Sequence, residues 1–156
     1  FDIEKIKSER PDEFVSVSDK IDPAHSITAT VVKTEEEAHK RPVFVFENVK
    51  GTDFKVMTNL HASRHRLGLA MGVGPREMQK RFLDAMENPI PPMEINTGPC
   101  KDIIIKGNDI DMRALPQIVH HGDDGGPYIT AAISFAKDPE TGIYNCAYPT
   151  SFMVIK

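Results

Sequence analysis

His61 and His65 stand four residues apart, a spacing that on a helix puts both imidazoles on one face, within reach of one metal ion. No third ligand follows at a metal-site spacing, and Arg64 and Arg66 beside them repel a cation. Two surface or half-buried histidines are therefore the expectation, given the geometry zinc requires. His120 and His121 are adjacent, so on extended backbone they point to opposite faces and do not simply share a metal. Either one titrates near neutral pH and has the chemistry of an acid or base. Arg64, Arg66 and Arg76 carry planar forks that suit an anionic group, and phosphate if set around a helix start. Ion pairs with the many Glu and Asp are the simpler expectation for them. Asp123-Asp124-Gly125-Gly126 is an acidic turn without the alternating ligands and distant Glu of an EF-hand loop. Gly68, Gly72 and Gly74 do not follow a strand in the spacing of a nucleotide-binding loop. Glu35-Glu36-Glu37 reads as a solvated helix face.

The background of these residues is a globular one. The chain has 156 residues, 40% hydrophobic and 27% charged, with a net charge of -4. That charge, and a pI near 5.9, argue against a nucleic-acid partner, because phosphate binding needs a positive field. No stretch approaches the roughly 20 apolar residues that cross a bilayer, so no membrane partner is expected. The start, Phe1-Asp2-Ile3-Glu4-Lys5, does not read as a signal peptide, and it lacks an initiator Met, so residue 1 need not be the native start. Cys100 and Cys146 follow no metal or redox spacing. Together with seven Met they suit a reducing cytoplasm, although one disulfide between them stays open at this point.

The elements that must position these residues follow from periodicity. Ile3 and Ile6 suggest a short helix stopped by Pro11, and residues 14–17 alternate as a strand. Asp22-Pro23 reads as an N-cap and first-turn proline, opening a helix to about Lys40 with Ile27, Val31 and Val32 on one face. Residues 43–47 and 55–58 read as strands around the turn Asn48-Val49-Lys50-Gly51. Helices follow at about 62–71 and from Pro75, where Met78, Phe82, Leu83 and Met86 recur at helical spacing until Asn88-Pro89. The four prolines within residues 89–99 predict a loop or linker. Ile103-Ile104-Ile105 is strand-like, residues 109–116 an irregular or short helical connection. Residues 128–136 and 143–155 are two strand candidates joined as a hairpin by residues 137–142. The order is mixed α/β to about residue 98 and mostly β thereafter. A β domain made only of residues 99–156 would have exposed edges unless something pairs with them.

Several phrases, in one order, carry a resemblance. Phe46-Glu47-Asn48-Val49-Lys50-Gly51 resembles the first hairpin of the UbiD family. Asn59-Leu60-His61-Ala62-Ser63-Arg64-His65-Arg66 is similar to its Asn-Leu-x-x-Ser-Arg-x-Arg segment. Asp109-Ile110-Asp111-Met112, leading to Leu115-Pro116, looks like its linker. Asp124 to Thr130, with Gly126-Pro127-Tyr128-Ile129-Thr130, then Asp138-Pro139-Glu140-Thr141-Gly142 before Asn145, is the best match. No single phrase is specific; their joint order across nearly the whole chain makes the resemblance.

The resemblance implies an N-terminal α/β domain over residues 1–98. Residues 99–156 would be a linker and the first part of a flavin-reductase-like split β-barrel, with a C-terminal α/β domain to follow. It implies reversible decarboxylation of an aromatic, heteroaromatic or α,β-unsaturated carboxylic acid on prenylated FMN. A divalent metal, usually Mn2+, and K+ bridge the protein to the cofactor phosphate. The cofactor does the hard chemistry and the protein supplies position and field. By position, Asn145 matches the family's amide ligand to the divalent ion, a hard oxygen suited to manganese. Thr130 matches a residue lining the cofactor, and Ala147, Tyr148 and Pro149 fall where a strand passes along the flavin. An ordinary β-hairpin with its polar residues turned to solvent is the alternative for Thr130 and Asn145.

One position departs from the pattern. Five residues after the asparagine the family usually has an arginine that contacts cofactor and substrate; here Thr150 stands there and supplies no fixed charge or bidentate contact. The remaining family ligands and the catalytic glutamates would lie beyond Lys156. The resemblance thus implies that the rest of a UbiD-like chain, or a complementary subunit, completes the site, and that the complete protein forms a homo-oligomer. The 156 residues alone are expected to be inactive. A non-catalytic subunit or fragment that keeps the fold and contributes an interface or partial flavin site is the alternative, supported by Thr150. A plain flavin reductase would share only the barrel and leave residues 1–98 unexplained.

Overall fold

The computed structural model describes residues 3–148 and 151–152. The chain forms two compact units, each assembled from three stretches. The first comprises residues 1–16, 41–45 and 57–111, and the second residues 17–40, 46–56 and 112–156.

The first unit opens with helix α1 (Ile3–Glu9), and Pro11 begins a 3-10 turn, as a residue without an amide donor requires. Strands β1 (Phe14–Val17), β2 (Val43–Phe46) and β3 (Val56–Thr58) form a sheet in that order, most of their residues belonging to this unit. Ile6, Val43 and Phe44 are its buried apolar side chains. Helix α3 (Arg64–Met71) starts at Ser63, whose hydroxyl accepts from the Arg66 amide. It ends in a two-bond reversal: Gly72, at φ 70°, donates to Leu69, and Val73 donates to Gly68. The returning chain passes so close that a Cβ on Gly68 would lie 2.7 Å from the Val73 carbonyl oxygen.

Pro75 opens a hydrogen-bonded turn rather than the helix itself. The Glu77 carboxylate accepts from the Gly74 amide at 3.0 Å, and helix α4 runs Met78–Glu87. The spacing of Met78, Phe82, Leu83 and Met86 is helical as expected, but Phe82, Leu83 and Met86 face solvent. Residues 89–98 carry no regular structure, in line with their prolines. Ile103-Ile104-Ile105 forms no strand: the three side chains are exposed and the backbone runs between 3-10 turns at Pro99–Lys101 and Gly107–Asp109. Three β-branched residues favour extended backbone, yet a strand also needs a partner to take its amides.

The second unit holds helix α2 (Ser26–Ala38), with Ile27 buried on its inner face and Val32 exposed. The helix starts later than Asp22-Pro23 suggests, and Asp22 does not cap it. Its carboxylate accepts from the Ala24 amide at 2.9 Å and from Lys50 at 3.0 Å, fixing the approach to the helix. Isolated bridges join Ile21 to Val49 and Ala24 to Val119. Phe46, Val49 and Val56 are further buried side chains of this unit.

The expected strand over residues 128–136 is two strands, β4 (Tyr128–Ile129) and β5 (Ser134–Lys137). The candidate over residues 143–155 is likewise β6 (Tyr144–Ala147) and β7 (Ser151–Phe152), part of the expected span lying outside the described residues. β5 and β6 make the expected antiparallel hairpin, with Ser134 opposite Ala147 and Ala136 opposite Asn145. β4 pairs with β7, Tyr128 opposite Phe152. Among the described residues the β segment is therefore two strand pairs, within a mixed α/β fold.

Candidate functional site

The similar arginines have different environments. Arg66 is 1% exposed, and its guanidinium is satisfied on every side. Nη1 pairs with Glu13, Nη2 donates to the Arg41 and Asn59 carbonyls at 2.8 and 2.9 Å, and Nε donates to Leu60 at 3.1 Å. Asn59 adopts φ 61°, a left-handed conformation that Asn tolerates, and so turns its carbonyl toward the fork. The phrase Asn59-Leu60-x-x-Ser63-x-x-Arg66 is thus a structural device: a helix cap, two carbonyls and the cation they hold. Arg66 is no anion ligand, while Arg64 and Arg76 remain exposed.

His61 precedes the first residue of α3, so it and His65 do not form the four-apart helical pair. Among the described residues no group of three or more His, Cys, Asp or Glu is placed to hold a metal. Cys100 and Cys146 are both free and exposed.

The residues implied as a cofactor site lie in the second unit. Asn145 and Ala147 are two apart on β6, so they share one face, and their partners Ala136 and Ser134 share it with them. This face carries only small or short polar side chains, all exposed. The opposite face carries Phe135, Lys137, Tyr144 and Cys146, with the Lys137 ammonium 5.4 Å from the Tyr144 ring centre. Tyr148 directly follows β6 and is 82% exposed. Thr130 directly follows β4, in the other strand pair, and is also exposed. Pro149 and Thr150 lie outside the described residues.

The first face carries no large side chain, and the Asn145 amide on it can donate or accept. A divalent ion would find one hard oxygen there, Asn145 Oδ1, and needs the rest of its shell from elsewhere. A cavity of about 470 Å³ opens beside the 47–55 loop, lined by Lys20, Thr52, Asp53, Phe54 and neighbours. None of the residues above lines it.

The sequence offered Asp124 as part of an acidic turn, without a role for its carboxylate. Its carboxylate accepts from the His121 and His120 amides at 2.9 and 3.0 Å, and its own amide donates to the His121 carbonyl. The His121 amide, then that of His120, holds its carboxyl below the ordinary carboxylate range. His120 is half-buried with Nδ1 2.9 Å from the Thr28 hydroxyl, whereas His121 is exposed. Asp138 does the same in the β5–β6 loop, accepting from Thr141 and Glu140, which likewise lower its carboxyl. An Asp followed within four residues by glycine was the signal available for both.

Comparison with known proteins shows the class. Residues 7–86 match the model of the 3-octaprenyl-4-hydroxybenzoate carboxy-lyase N-terminal domain, and residues 93–149 that of the same carboxy-lyase's Rift-related domain. Both models describe one enzyme family, and the chain belongs to it: this is a UbiD-family chain. It is 34% identical over 135 residues to an anhydromevalonate phosphate decarboxylase of Methanothermobacter thermautotrophicus, covering 83% of this chain and 31% of that one. A phenolic acid decarboxylase of Sedimentibacter hydroxybenzoicus is 28% identical over 152 residues, 92% of this chain and 30% of the relative. The fold is similar to an evolved dimeric form of the UbiD-class enzyme HmfF from Pelotomaculum thermopropionicum, solved in complex with prFMN. That similarity has a TM-score of 0.80 and 31% identity over 93% of this chain and 33% of HmfF. The chain spans about a third of the length of these relatives.

Proposed function

We propose that the protein of which these residues form a part is a prenylated-FMN-dependent carboxy-lyase that reversibly and non-oxidatively decarboxylates an aromatic or α,β-unsaturated carboxylic acid. The observation that carries this reading is the open, small-residue face of the β5–β6 hairpin, bearing Asn145 and Ala147, in a UbiD-family chain. The likeness to prFMN-bound HmfF supports it.

Prenylated FMN, when bound, supplies the electron sink that stabilises the carbon left by departing carbon dioxide. Asn145 would give its amide oxygen to a divalent ion, Mn2+ by the resemblance, with K+ beside it. Thr130 would turn its hydroxyl to the cofactor, and Ala147, Tyr148 and Pro149 would line the flavin. Residues 1–98 would be the N-terminal α/β domain and residues 99–156 the linker and first strands of a split β-barrel. The two matched segments, ending at 86 and beginning at 93, support a boundary nearby. One amide oxygen does not make a metal shell, so the remaining ligands and the catalytic acids would come from further UbiD-like chain or a complementary subunit. Homo-oligomers and a cytoplasmic setting complete the proposal.

The test uses the full-length protein, produced with a source of prenylated FMN. Purification with a bound flavin, and carbon dioxide release from a panel of aromatic and unsaturated acids, is the expected result. Asn145→Ala should lose the flavin on desalting; retention of its full absorbance would remove Asn145 from the site. Residues 1–156 alone should retain flavin poorly. Thr150, in place of arginine, favours a second reading, a non-catalytic member that keeps a partial flavin site. Bound flavin without turnover of any acid would select it.

A further inference from the structure

We propose that Asp124 is a positioning residue for the cofactor strand: it holds closed the loop that delivers Thr130. The inference rests on the reading of Thr130 as a flavin-lining residue.

The loop spans residues 118–128, all in the second unit. Its ends are tied by the Tyr128 amide donating to the Ile118 carbonyl at 3.1 Å. One flank is fixed to the start of α2: His25 donates to the Val119 carbonyl at 2.8 Å, Ala24 bridges Val119, and the Thr28 hydroxyl meets His120 Nδ1 at 2.9 Å. His25 adopts φ 68° in making that attachment, a conformation unusual for a non-glycine residue, so the surrounding contacts hold it there. The tip of the loop is Gly122-Asp123-Asp124-Gly125-Gly126, a run whose glycines give it no stiffness of its own. Asp124 reaches back from it. Its carboxylate gathers the amides of His120 and His121 at 3.0 and 2.9 Å, which spans the tip to the anchored flank. An ionised acceptor makes such bonds about twice as strong as neutral ones.

Four residues beyond Asp124 lies β4, only Tyr128–Ile129, and then Thr130. Two ladder residues cannot fix a strand's direction by themselves. The direction of Thr130 is set by the loop that feeds it, and Asp124 sets the loop. The acidic turn that fails as a calcium site is thereby accounted for: one of its carboxylates is spent on backbone amides.

The experiment is a double-mutant cycle in the full-length protein, read by absorbance titration with FMN, with melting temperature recorded for each variant. Asp124→Ala and Thr130→Ala should each weaken FMN, Asp124→Ala by about tenfold. The double variant should be no weaker than the weaker single variant, because both act through the same contact. Asp124→Asn keeps an acceptor oxygen and should stay within about threefold of the unaltered protein. Amide exchange at His120 and His121 should rise in Asp124→Ala. If Thr130→Ala weakens FMN and Asp124→Ala does not, or if the two losses multiply, the inference is overturned and the proposed function stands. If neither variant changes FMN affinity, the inference and the reading of Thr130 as a flavin-lining residue both fall. Should Asp124→Ala not fold, Asp124→Ser takes its place, since a short hydroxyl cannot reach both amides. Equal FMN affinity for Ser and Asn would then overturn the proposal.

Discussion

Single residues in this chain act through the backbone more than through one another. Arg66 is the strongest case, a buried cation held by one carboxylate and three carbonyls. Replacing it with Met removes this donor from those carbonyls and from Glu13, which keeps Arg10 at 2.8 Å, and breaking a buried pair costs up to roughly 3 to 5 kcal/mol. Urea unfolding should register that loss, and Arg66→Lys should recover only part of it, because an ammonium lacks the fork. Asp124 and Asp138 work oppositely, as anions gathering amides. Both carboxyls are held below their usual value, first by the His121 and Thr141 amides respectively. Their contribution is therefore complete above about pH 4 and is lost as the pH falls through the lowered values. Amide exchange at His121 and Thr141 should accelerate in that acid window and stay flat, after correction for intrinsic rates, from pH 5 to 8.

At the scale of elements, α3 depends on what it lacks at Gly68. Gly68→Ala would drive a methyl into the Val73 carbonyl, which is backbone and cannot swing aside. An alanine that would otherwise favour a helix should here destabilise by about 1 to 3 kcal/mol, measured by thermal unfolding. Such close approaches are invisible in a sequence, whereas periodicity is not. Ile3 and Ile6 before Pro11, the alternation of residues 14–17, and Met78 to Met86 all specify elements from local spacing, and each is found. Ile103-Ile104-Ile105 misleads because extended backbone is local but pairing is not. Residues 128–136 mislead in the same way, since the break at Thr130 reflects partners, β7 on one side and β6 on the other. At the candidate site, Asn145 and Thr130 were legible only by resemblance. The shared face of Ser134, Ala136, Asn145 and Ala147 needed the register.

Over the whole chain, apolar surface is distributed unevenly. Within the first unit Phe82 and Met86 on α4, then Ile90, Met93 and Ile103, are each more than half exposed, with Ile90 at 89%. Exposed apolar side chains in this number favour association. The 156-residue chain by itself should bind a hydrophobic dye such as ANS and self-associate. Phe82→Gln with Met86→Gln should reduce both, shifting stability by no more than about 0.5 kcal/mol per substitution because neither side chain is buried here. A large loss of melting temperature would mean that α4 is covered within this chain after all.

The Arg66 cluster also imposes a timetable. Glu13 leaves the ribosome 53 residues ahead of its partner, and Arg41 precedes it by 25. At about 5 to 20 residues per second, the Glu13 carboxylate waits roughly 3 to 10 seconds for Arg66, with Arg10 three residues before it as its earlier partner. Through that interval α1 and β1 exist on a nascent chain whose central tie has not been made. The tie that joins these three parts of the first unit therefore forms only once Arg66 has emerged.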